Sequence, residues 1–187
     1  MLTQDKVAML KEHLPYELNM LEQALLAWSR HEHMEDESPE YWFARMSAIE
    51  AFWTQARNIR EFFTLSGDEG RTARAKDFTV KPMDYDFEEL GNNINRLHAQ
   101  ISHLNYDRPA GEAPGEMPGK KLDYDFARRV KDAVDRAVAQ FQQNLTPAAI
   151  QHWEIRTPTA IPHPPGAPPG PSSHFEMTRL SINKDRR

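Results

Sequence analysis

Apolar residues recur every three or four positions over most of this chain, and that spacing constrains the fold more than any other feature. The first segment carries one such stripe, made of Val7, Leu10, Leu14, Leu18, Leu21, Leu25 and Trp28. This period is typical of an amphipathic α-helix that buries one face. Pro15 lacks the N–H group that a helix interior needs, so the sequence predicts a kink or a new start at that point.

A second helix is predicted to begin at Ser38 and Pro39, a capping residue followed by one that suits the first turn. Its apolar face consists of Trp42, Met46, Ile49, Phe52, Trp53, Ala56, Ile59, Phe62 and Phe63. Because these side chains are large, we expect this helix to form the centre of the core.

Two further stripes predict a third and a fourth helix. They consist of Leu90, Ile94, Leu97, Ile101 and Leu104, and of Phe126, Val130, Val134, Ala137 and Phe141. Thr146 and Pro147 resemble the cap and first turn of a short terminal helix that ends near Trp153. The sequence therefore predicts an all-α bundle. Its four main helices are expected near residues 3–30, 39–65, 86–104 and 123–145.

Proline dominates one stretch near the C-terminal end of the sequence. Seven of the 15 residues from 157 to 171 are proline, which favours extended, solvated backbone over helix or interior strand. We therefore expect a bundle domain over residues 1–156 and a flexible proline-rich tail over residues 157–187.

Composition and charge exclude several classes of protein. The chain has no cysteine, which excludes disulfides, thiolate zinc sites and a cysteine nucleophile. No apolar run approaches the length of about 20 residues that a membrane helix needs, and the first residues lack the order of a signal peptide. A cytoplasmic protein without membrane contact is expected. The net charge of −5 argues against a general nucleic-acid binder, so any nucleic acid would be held locally.

The predicted third helix also carries a row of polar side chains. Arg96 and His103 are seven residues apart, which places them only about 20° apart around a helix axis. Asn92 and Gln100 lie on the same side. A histidine that titrates near neutral pH can take the proton of a ribose 2′-hydroxyl, and an arginine can hold the neighbouring phosphate. The spacing is equally compatible with a solvated polar face or a helix-capping histidine.

Two segments of the sequence resemble a known family. Residues 94–108, which contain Ile94-Asn95-Arg96 and His103-Leu104-Asn105-Tyr106-Asp107-Arg108, are similar to the "IN…AHLTYxR" segment of abortive-infection-type HEPN proteins. Residues 50–63 resemble the helix that precedes that segment, and Phe78 fits the connection between the two. The HEPN superfamily comprises helical-bundle proteins that include abortive-infection and toxin ribonucleases.

The resemblance implies a metal-independent endoribonuclease of defence or stress response, with His103 as general base and Arg96 as phosphate clamp. It implies no cofactor, and it implies a homodimer in which two motifs line one cleft. RNA is the expected substrate, and an antitoxin or regulatory protein is an expected partner. The alternative is a HEPN-like dimeric binding module without catalysis.

Further residues are candidates for supporting roles. Glu50 and Arg57 share one side of the second helix, where Glu50 can pair with Arg57 or with Arg96 and orient it. Arg108 and Tyr106 follow His103 and can add a phosphate contact, and Asn95 adjoins Arg96. These charges can equally be ordinary solvated groups.

A metal-dependent bundle enzyme is a third hypothesis. It would need His13, Glu17 and Glu50 to meet in the bundle interior. No acidic-x-x-His pattern repeats on two helices, as a di-metal bundle requires, so no metal is expected.

Overall fold

The computed structural model describes residues 2–31, 38–64, 72–87, 90 and 124–156. Helices account for 77% of these residues, and no β-strand occurs among them. Thr79 and Leu145 form an isolated antiparallel bridge. The prediction of an all-α fold is confirmed. No helix within these ranges is long and apolar enough to cross a membrane.

The first amphipathic segment is divided just before Pro15. Helix α1 covers Gln4–Ala8, a π-helical turn covers Met9–His13, and α2 runs over Leu14–His31. In the π turn the N–H of Leu14 donates to the carbonyl of Met9, five residues earlier. The wider turn precedes the one residue that has no N–H to donate, so the predicted interruption at Pro15 is confirmed.

Helix α3 covers Pro39–Phe63 and begins as predicted. The hydroxyl of Ser38 accepts a hydrogen bond of 3.3 Å from the N–H of Tyr41, and Pro39 occupies the first turn. The hydroxyl of Tyr41 donates to the carbonyl of His31, which ties the start of α3 to the end of α2. Because Tyr41 faces α2, its neighbour Trp42 is turned about 100° away. The prediction that Trp42 belongs to the core is therefore wrong, and its side chain is exposed.

Helices α2 and α3 form an antiparallel pair that α4, Tyr124–Asn144, completes on one side. At one end Trp28 contacts the rings of Phe52, Trp53 and Tyr124 edge-on, with centroids 5.7–6.1 Å apart. At the other end Phe141 of α4 contacts a second aromatic group. That group consists of Phe62, Phe63, Phe78 and Trp153. These two clusters make the core continuous from end to end.

Helix α5, Pro147–Ile150, follows α4 almost directly. The hydroxyl of Thr146 accepts a hydrogen bond of 3.2 Å from the N–H of Ala149, so the predicted cap is confirmed. A turn after Ile150 brings Trp153 back into the core, where its ring is buried against Phe141.

In the part of the connection after α3 that the structure describes, a short 3₁₀ turn, Ala75–Asp77, is followed by the fully buried Phe78. Asp86 and Phe87 are not helical, and Phe87 has φ 58°, a left-handed conformation that an α-helix does not contain. The predicted third helix therefore does not begin at Asp86. Leu90, the first residue of its stripe, is buried as expected, and residues 91–104 lie outside the described part of the chain.

Candidate functional site

A buried lysine is the centre of the charged site that the structure describes. Lys131 lies on the face of α4 that packs against α2, and its side chain is only 5% exposed. Its ammonium nitrogen lies 2.6 Å from Oδ2 of Asp135, one turn further along α4, and 3.5 Å from Oε1 of Glu22 on α2. An ammonium group removed from water needs such partners, because an unpaired buried charge is strongly unfavourable.

Arg156 joins the same cluster from the segment that follows α5. Its guanidinium donates a hydrogen bond of 2.6 Å to Oδ1 of Asn19, and it lies 3.8 Å from Oε2 of Glu22. Its backbone N–H donates to Oε1 of Gln142 at 2.7 Å, an oxygen that also accepts from the indole N–H of Trp153. The cluster therefore fixes the end of residues 124–156 to both α2 and α4.

The four charges line a small cleft between α2 and α4, with a volume of about 50 Å³. Leu18, Leu21, Val134 and Val138 form its apolar wall. Two cations and two carboxylates cancel, so the cleft offers no net positive field to a phosphate group. None of the described residues that line it is a histidine.

Burial raises the pKa of Asp135 above its ordinary value, and the nearby carboxylates of Glu22 and Asp132 act in the same direction. The attraction of Lys131 opposes this shift without cancelling it. The folded protein thus holds the Asp135 proton more tightly than the unfolded chain does. The stability that this proton contributes is present at low pH and is lost as the pH rises through the raised pKa.

We therefore expect the Asp135→Asn variant to lose part of the pH dependence of unfolding. In the unmodified protein this group makes the free energy of unfolding fall as the pH rises from about 4. The asparagine cannot ionise, so that decrease should become shallower. Urea denaturation at several values between pH 4 and pH 7 measures the slope.

Glu12→Gln is the control, because it neutralises an exposed carboxylate that does not line the cleft. It should leave the slope close to that of the unmodified protein. Equal slopes for Asp135→Asn and the unmodified protein would contradict the expected role of Asp135.

The structure places two of the nine predicted site residues. Glu50 is exposed on α3. Arg57 is half-buried on the same helix, and its Nε lies 3.2 Å from Oε1 of Glu61. The Arg57–Glu61 pair follows the common spacing of four residues on a helix, which is the signal that could have predicted it. The other seven lie outside the described residues. They are Asn92, Asn95, Arg96, Gln100, His103, Tyr106 and Arg108.

The three residues of the metal hypothesis do not converge. His13 and Glu50 are exposed, and Oε2 of Glu17 instead accepts a hydrogen bond of 3.2 Å from the amide of Asn58 on α3. Within the described ranges, no three histidine or carboxylate side chains are arranged to hold a metal ion.

No protein-family model, no curated protein and no solved structure matches this chain. The fold and the site therefore stand on the sequence and on the contacts described above.

Proposed function

We propose that this chain is a HEPN-like endoribonuclease that cleaves RNA without a metal and acts in defence or stress response. The observation that carries the proposal is the spacing of Arg96 and His103, which places a phosphate ligand and a proton acceptor on one side of a predicted helix. His103 takes the proton of a ribose 2′-hydroxyl, whose oxygen then attacks the adjacent phosphorus. Arg96 holds the phosphate oxygens as their charge increases.

Two features of the described residues support this assignment. Residues 50–63, which resemble a helix of the family, lie in the long helix α3, and the apolar residues among them reach the aromatic core. The backbone N–H of Tyr85 donates to the carbonyl of Phe63 at 3.0 Å, and Phe87 and Leu90 are buried. Tyr85, which precedes Arg96 by 11 residues, therefore lies beside the C-terminal end of α3.

The test is incubation of the purified protein with mixed RNA, with and without EDTA. The matched variant is Arg96→Ala/His103→Ala, which removes both proposed groups and leaves the apolar stripes unchanged. Cleavage that persists in EDTA and is absent in the variant supports the proposal. Cleavage that the double variant retains would contradict it.

A binding module without catalysis is the second candidate, and one observation favours it. Trp42 and Phe43 are both exposed near the start of α3, about 100° apart around its axis, and large exposed aromatic groups mark surfaces that contact other molecules. In this candidate Arg96 and His103 belong to a polar contact surface. The absence of cleavage with every RNA tested would favour this function.

We also propose that two chains pair so that their 86–104 segments come together, because one Arg96–His103 pair is a sparse site for RNA. Light scattering at tens of micromolar protein should give a mass near twice that of one chain. A monomer at that concentration would contradict the dimer.

An antitoxin or regulatory protein is a further proposed partner, and we propose a cytoplasmic location for the protein.

A further inference from the structure

Trp42 and Phe43 form an exposed aromatic pair at consecutive positions of α3, with their side chains about 100° apart around the helix axis. The side chains are 59% and 68% exposed, although each could remove a large apolar area from water. Ser38 caps the first turn of α3, and the neighbouring Tyr41 is hydrogen-bonded to the carbonyl of His31 and packed on its ring at 4.9 Å. The pair is thus presented by a fixed helix start, which lowers the entropic cost of binding on it.

The same chain carries a segment whose chemistry suits this surface. Residues 157–171 include seven prolines. Such sequences favour the polyproline II conformation, which has no internal hydrogen bonds and loses little entropy when it binds. Proline-rich segments bind to other proteins by packing against aromatic rings that line a groove. No other part of this sequence has a comparable density of proline.

The segment is also long enough to reach the pair within one molecule. Arg156 is anchored on Asn19 of α2, and Tyr41 contacts His31 at the far end of the same helix. His31 comes 12 residues after Asn19, a separation of roughly 18 Å along the helix. Fifteen residues of polyproline II extend over about 46 Å. We propose that residues 157–171 dock on the Trp42–Phe43 pair of their own chain.

Tryptophan fluorescence can test this docking in the full-length protein. The chain has four tryptophans, and Trp28, Trp53 and Trp153 are buried. Quenching by acrylamide therefore reports mainly on Trp42, and the difference from a Trp42→Ser variant isolates its signal. If the segment covers Trp42, the quenching constant of Trp42 is lower than that of a free side chain.

The informative variant replaces four prolines of the segment with serine: P164S, P165S, P168S and P169S. It should raise the quenching constant of Trp42 about twofold, because a docked proline helix covers one face of the indole. The control is Pro82→Ser, which changes an exposed proline in the connection after α3 and should leave the constant unchanged.

The quenching constant of the unmodified protein should not depend on protein concentration. Equal constants in the unmodified protein and the four-proline variant would overturn the proposal and leave the pair open for another partner. Protection that appears only as the concentration rises would also overturn it, since the segment would then dock on a second copy. Neither outcome depends on RNA cleavage, so this inference is tested separately from the proposed function.

Discussion

Replacing Lys131 with methionine should lower the free energy of unfolding by about 3 kcal/mol at neutral pH. Methionine has nearly the same length as lysine, so the change removes the charge and leaves little empty space. Glu22 and Asp135 then face each other across the small cleft without their shared cation, and both are partly or largely withdrawn from water. Two such carboxylates repel each other and are poorly solvated, which destabilises the folded state.

Chemical denaturation measures this loss directly, and the melting temperature should fall by roughly 6–12 °C for a chain of this size. The control is Lys6→Met. Lys6 lies 3.5 Å from Asp77 in an ion pair that is more than a quarter exposed on both sides. That substitution should cost less than about 1 kcal/mol. Equal losses in the two variants would show that the buried charge of Lys131 stabilises the fold no more than the exposed ion pair of Lys6 does.

A third variant separates the charge effect from a packing defect. Lys131→Met combined with Glu22→Gln and Asp135→Asn removes the lysine charge together with its two carboxylate partners, while Arg156 keeps its hydrogen bond to Asn19. Replacement of a buried ion-pair network by neutral groups is often close to neutral for stability, whereas removal of one member is costly. We therefore expect the triple variant to recover much of the loss. No recovery would indicate that the side-chain packing of Lys131, and not its charge, stabilises the fold.

Local sequence signals predicted the helices well because each depends on a few neighbouring residues. The Ser38 and Thr146 caps and the interruption at Pro15 follow from backbone hydrogen bonding within one turn. The stripes of the first, second and fourth helices are largely buried for a similarly local reason, since helical periodicity defines the apolar face.

Trp42 shows what helical periodicity alone cannot predict. The helical period places it in line with Met46, but it cannot tell where the neighbouring helix ends. α2 ends at His31, and Tyr41 occupies the position beside it, so Trp42 has no helix to pack against among the described residues. The exposure of this side chain depends on the tertiary arrangement and could not be derived from the spacing.

The charge cluster was missed for a related reason. Lys131 and Asp135 are four residues apart, a spacing that suggests an ordinary exposed helical pair. Glu22 is 109 residues from Lys131 in the sequence, and Arg156 lies beyond the last long helix. Only the packing of α2 on α4 shows that these charges share one buried site. The predicted catalytic pair, Arg96 and His103, lies outside the described residues and stays a prediction.

His103→Ala should reduce RNA cleavage at least about a hundredfold, which is the typical minimum for loss of a general base. The melting temperature should change little, because His103 lies off the apolar stripe and its removal opens no core cavity. His13→Ala is the matched control. It removes an exposed histidine from the π turn before Pro15 and should leave cleavage unchanged.

Arg96→Lys should impair cleavage nearly as much as His103→Ala. Lysine keeps the positive charge but loses the planar pair of donors with which arginine holds two phosphate oxygens. Rates measured on one labelled RNA allow the variants to be compared directly. Full activity of Arg96→Lys would indicate that a point charge is sufficient and that the phosphate is not held by paired hydrogen bonds.

The products of RNA cleavage and the pH dependence of its rate test the same mechanism independently of the variants. Attack by the 2′-hydroxyl breaks the bond from phosphorus to the 5′-oxygen, so the 5′ fragment must end in a cyclic or 3′ phosphate. The base must be neutral to accept the proton, and the rate should therefore rise with pH around the ordinary histidine pKa of about 6.5. EDTA should not slow the reaction. A 3′-hydroxyl product, a requirement for added metal, or a rate that is flat from about pH 5 to pH 8 would each refute His103 as the base.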